Sequence, residues 1–120
     1  MPSLAPAFSR AAVSALLISL AWISSPAFAE APSSEPLAAI GELGKLNGIA
    51  LACGQTALTT RLRDIIVTVA PKSREIGETY EQASNAAFLA QGRGQACPDG
   101  RTLAKQIEAA EARLKAAYPQ

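Results

Sequence analysis

The stretch Leu37-Ala-Ala-Ile-Gly-Glu-Leu-Gly-Lys-Leu-Asn-Gly-Ile-Ala-Leu-Ala-Cys53-Gly54 decides how this chain is read. Leu37, Ile40, Leu43, Leu46, Ala50 and Leu51 recur at helical spacing and make a broad apolar surface. Gly41, Gly44, Gly48 and Ala52 follow one another at intervals of three, four and four, so a side-chain-poor stripe runs along the same rod. An interior glycine costs a helix about 1 kcal/mol relative to alanine. The close approach of another helix backbone would compensate; a helix broken between Gly41 and Gly48 is the competing reading. The stretch closes on Cys53, and the only other cysteine is Cys97.

Reading outward toward the C-terminus, Gly54 is a natural helix stop and Thr56 starts a second helix over about 56–70. Leu58, Leu62, Ile65, Ile66 and Val69 follow the helical period there. Ile65-Ile-Val-Thr-Val69 has strand propensity, but no other stretch offers a partner strand to satisfy its backbone. Helix is the expectation, ended by Pro71. Ser73 caps a third helix over about 73–91, which buries Ile76, Tyr80, Ala83 and Ala87 with Phe88 at the edge. Gln91-Gly-Arg-Gly-Gln95 reads as a connector. Asp99 then caps a last helix, about 99–118, with Leu103, Ile107, Ala110, Leu114 and Ala117 on one face.

Reading toward the N-terminus, Ser34 is the expected cap of the first helix, about 36–53, with Pro36 in its first turn. Glu30 to Glu35 reads as a short disordered arm. Residues 1–29 have the form of an export signal. Arg10 supplies the charge, Ala11 to Ile23 the apolar core, and Ala27-Phe28-Ala29 the small-x-small cleavage site. That core is about 13 residues long against the roughly 20 that span a bilayer, so a retained anchor is not expected. Ala50-Leu51-Ala52-Cys53-Gly54 imitates a lipoprotein box, but it lies behind Glu42 and Lys45, in the body of the mature chain. The expected organisation is a signal peptide (1–29), an arm (30–35) and one all-α domain (36–118), a small four-helix bundle or orthogonal array with one disulfide. The expected location is the periplasm or the medium.

Charge and composition exclude more than they name. The chain has 11 Lys+Arg and 10 Asp+Glu, and losing Arg10 with the leader leaves the mature protein formally neutral. No basic block fit for a phosphate backbone is present, so nucleic acid is not an expected partner. There is no histidine, which removes imidazole catalysis, the common triads and histidine metal ligation. Glu75, Glu78 and Glu81 read as a solvated face. Arg61, Arg63, Lys72 and Arg74 are expected to cluster around the turn between the second and third helices. No catalytic, cofactor or metal residue is expected.

In an exported chain two cysteines permit one intramolecular pairing, and Cys53–Cys97 would put the first and last helices at the same end of the bundle. A redox-active pair is disfavoured, since there is no C-x-x-C; an intermolecular bond is the other alternative.

With leader, cysteine pair and four helices in place, the chain resembles small two-cysteine helical proteins exported by proteobacteria. In outline it is also similar to periplasmic acid-stress chaperones of the HdeA type, which implies a bundle that opens in acid. Without histidine, such a switch would rest on carboxylates such as Glu75, Glu78 or Asp64 and begin below about pH 5. The leading expectation is a non-enzymatic accessory protein with an unknown protein partner. Its expected working surface is Gly41, Gly44 and Gly48, if no internal helix covers them, together with Arg61, Arg63, Lys72 and Arg74.

Overall fold

A computed structural model describes residues 34–120. The expected signal, its cleavage site and residues 30–33 lie outside the described residues. Four helices follow in order: α1 (Ser34–Ala52), α2 (Thr56–Val69), α3 (Arg74–Gln91) and α4 (Gly100–Ala117). All four expected helices are present, each end within two residues of its expected place. The start of α1 corrects one detail. Ser34 is a helical residue rather than the cap, and Glu35 is in the first turn instead of the arm. A carboxylate there suits the positive end of the helix dipole, and Pro36 needs no hydrogen-bond partner in a first turn.

The breaks between helices are local chemistry. At the end of α1, Gly54 takes φ +69°. Its N–H donates to the Leu51 carbonyl (3.2 Å) and the Gln55 N–H donates to that of Ala50 (2.8 Å). This is the paired closure of a Schellman motif, which a glycine permits without strain. Ala70 is extended ahead of Pro71, as the proline ring requires. The Ser73 hydroxyl accepts from the Ile76 N–H (3.3 Å), and the Asp99 carboxylate accepts from the Thr102 N–H (2.8 Å) and hydroxyl (2.9 Å). Gln55 gives α2 no side-chain cap, and Leu62, Ile65 and Val69 hold that helix by burial.

α1 is the hub. It packs against each of the other three helices, α2 also packs on α4, and among the described helices α3 makes its interface with α1 alone. Ala39, Leu43, Leu46 and Ala50 form one buried stripe of α1, while Gly44 and Gly48 lie on another side of the rod, against α3. A helix apolar around much of its circumference is a buried helix, and this one is the middle layer. The core adds Leu62 and Ile65 from α2, Ile76 and Tyr80 from α3, and Leu103, Ile107, Ala110 and Leu114 from α4.

Candidate functional site

The glycine stripe divides. A Cβ on Gly44 would collide with the Tyr80 carbonyl oxygen and stand 3.0 Å from the Ala83 Cβ; one on Gly48 would collide with the Ser84 carbonyl oxygen. These two glycines are consumed inside the molecule, where α3 settles on α1, and so offer no outer surface. A Cβ on Gly41 would meet nothing within 4 Å among the described residues. Between the two helices the Asn47 amide donates to the Ser84 hydroxyl at 2.7 Å, a buried polar pair that fixes their register. The continuous helix also removes the alternative of a break between Gly41 and Gly48.

The expected basic cluster is divided as well. Arg61 turns toward α4 and meets the Glu111 carboxylate at 3.4 Å, while Lys115 reaches its other oxygen at 2.8 Å. Residues two apart on a helix point in different directions, so Arg61 and Arg63 cannot share a face. Arg63, Lys72 and Arg74 are exposed, and none makes an ion pair among the described residues. Glu111 is held below the usual carboxylate range, chiefly by the hydrogen bond from Lys115 and against the opposing effect of burial, with Arg61 adding to it. Asp99 is lowered by its hydrogen bonds from Thr102. Burial pushes the Tyr80 hydroxyl up to about 12, with the Glu81 charge adding to it and Arg63 opposing. Glu75, Glu78, Glu81 and Asp64 are exposed, and none is in an ion pair among the described residues.

Cys53 and Cys97 are bonded, with their Cα atoms 5.8 Å apart. The bond joins the end of α1 to the segment that enters α4, as the sequence suggests, and leaves no free thiol. The buried Gln91 side chain shapes that segment. Its amide donates to the carbonyls of Gln95 (2.9 Å) and Ala96 (3.1 Å) and lies 3.8 Å from the Cys97 sulfur. From sequence, the stretch 91–95 reads as a connector without this anchor, since a glutamine ending a helix carries no signal of its own. Among the described residues no group of three His, Cys, Asp or Glu could hold a metal ion, and no helix is long and apolar enough to cross a membrane.

Two surface grooves flank the α1–α3 seam. One, of about 250 Å³, lies between Leu51 and Phe88 and includes Glu81 and Asn85. The other, about 400 Å³ and almost wholly apolar, is lined by Gly41, Lys45, Ala83, Ala86 and Ala87. Leu51, expected on the buried surface of the first helix, is 48% exposed, and Phe88 is 45% exposed.

What fold and site define together is a small all-α protein: a four-helix array built around its first helix and closed by one disulfide. No protein-family model, curated protein or solved structure matches the chain.

Proposed function

We propose that this is an exported, non-enzymatic helical protein that works in the periplasm or the medium by binding a protein partner. The observation that supports this most directly is the Cys53–Cys97 bond, which spans 44 residues of chain. Such bonds persist where the surroundings are oxidising, in keeping with the leader-like residues 1–29. The chemistry within reach points the same way: no imidazole in the chain, both thiols spent on the bridge, and no metal-ligating cluster among the described residues. The test is twofold. Intact-mass measurement of the exported form should give a chain beginning at Glu30 with both cysteines oxidised. Crosslinking in the native compartment should return a defined protein partner. An uncleaved chain with free thiols defeats the compartment, and hydrolase or oxidoreductase turnover by the pure protein with no partner captured defeats the role.

One observation favours a second reading, a stress chaperone that loosens in acid as the HdeA-type resemblance implies. Glu111 ties α2 to α4 through Arg61, and its protonation removes that tie. On this reading the protein suppresses client aggregation at about pH 3 and loses near-ultraviolet dichroism there. An unchanged spectrum at that pH removes it.

A further inference from the structure

We infer that the groove between Leu51 and Phe88 docks a partner segment that presents a bulky apolar side chain with a lysine or arginine close by. The inference rests on the interaction-protein reading and gives it a surface. Leu51 from α1 and Phe88 from α3 flank the groove, each about half exposed. A large aromatic beside a concave seam is the kind of side chain that carries binding energy in protein interfaces. The polar rim has one sign. Glu81 lines the groove, Glu78 stands three positions earlier on α3, and neither is in an ion pair among the described residues. Among the described residues no lysine or arginine lines it, and α3 carries three glutamates against the single cation Arg74. Ser84 is committed to Asn47, which leaves the exposed Asn85 amide and the Glu81 carboxylate to meet a partner.

The walls are set before any partner arrives. Leu51 lies two residues before Cys53, and the segment beyond Phe88 is fixed through Gln91 and Cys97, so the disulfide fastens both sides of the groove near one end. Binding to such a site costs little ordering of the protein. The groove across the seam differs in kind: among the described residues its one charged residue is Lys45 and no aromatic side chain walls it. Charge complementarity therefore selects a basic partner for the Leu51–Phe88 groove and not for the other.

The experiment is selection from a random-peptide display library on the oxidised protein, followed by affinity measurement and amide-shift mapping with the enriched peptides. Enriched sequences should pair a Leu, Ile, Phe or Trp with a Lys or Arg and perturb Leu51, Glu81, Asn85 and Phe88. Phe88→Ala should weaken them about tenfold or more. Glu81→Lys should abolish the preference for basic sequences, and Lys45→Glu should change nothing. All three side chains are at the surface, so helical content should match the parent. No enrichment over a bare support, enriched peptides without basic residues, or affinity indifferent to Phe88→Ala overturns the proposal. So do concentration-dependent shifts at these residues without peptide, which would assign the groove to a second copy of the chain. A native partner mapped to Lys72 and Arg74 instead would sink this surface and leave the interaction reading standing; catalytic turnover would sink that reading itself.

Discussion

Gly48 lies directly beneath the backbone of Ser84: a Cβ at position 48 would run into the Ser84 carbonyl oxygen and stand 2.8 Å from both the Ala87 Cβ and the Phe88 nitrogen. Backbone cannot move aside as a flexible side chain does, so Gly48→Ala must push α3 off α1. Overpacking of this kind costs about 1–3 kcal/mol, which exceeds the roughly 1 kcal/mol that alanine returns in helix propensity when the clash is with main chain. Gly41→Ala meets nothing within 4 Å among the described residues and keeps only the propensity gain. Thermal unfolding of the two variants should therefore move in opposite directions, Gly48→Ala downward and Gly41→Ala upward, by about 4–8 °C per kcal/mol.

The Asn47–Ser84 hydrogen bond crosses the same interface. Ser84→Ala leaves the buried Asn47 amide without its acceptor, at a cost of about 1–3 kcal/mol. Asn47→Ala on that background should cost much less than it does alone. A double-mutant cycle by urea denaturation checks this, and strictly additive losses would show that the bond carries no coupling.

Opening the Cys53–Cys97 bond frees a closed loop of about 45 residues, worth roughly 4 kcal/mol on the chain-entropy account. The net stability of a domain is about 5–15 kcal/mol, so the reduced protein should stand near the edge of folding. Denaturation midpoints with and without a phosphine reductant measure the difference. Cys53→Ser with Cys97→Ser should reproduce the reduced value.

In acid, the groups to watch are Glu111 and Asp99, both lowered on folding. A lowered carboxylate adds stability that is complete above its unfolded value, 4.5 for the glutamate and 3.8 for the aspartate, and is lost as pH falls through the folded value. Stability should hold down to the mid-fours and then decline. Glu111→Gln should be less stable than the parent at neutral pH and converge on it in acid, followed by urea titration at a series of pH values.

At the alkaline end the sign reverses. Tyr80 is raised from 10.0 to about 12 by burial, so its contribution is intact below pH 10 and drains away as pH climbs toward the folded value. Tyr118→Phe leaves Tyr80 as the only tyrosine, and its tyrosinate absorbance should titrate near 12 in the folded protein and near 10 in urea. Tyr80→Phe should flatten the alkaline loss of stability.

The chain alone determined the helices and their breaks, because each follows from short-range physics: the 3.6-residue period, the conformational freedom of Gly54, the oxygens of Ser73 and Asp99, and Pro71. For the two cysteines it left one intramolecular pairing or a bond between chains, and the fold decided for the first by bringing the end of α1 to the entry of α4. Tertiary structure decided which helix lies in the middle and what each surface residue faces. Periodicity shows that a side of α1 is apolar or bare, yet says nothing of which neighbour covers it. Hence Gly44 and Gly48 disappear under α3 while Gly41 stays open, Arg61 leaves its basic neighbours for Glu111, and Leu51 and Phe88 stand at the surface beside a seam that only packing creates.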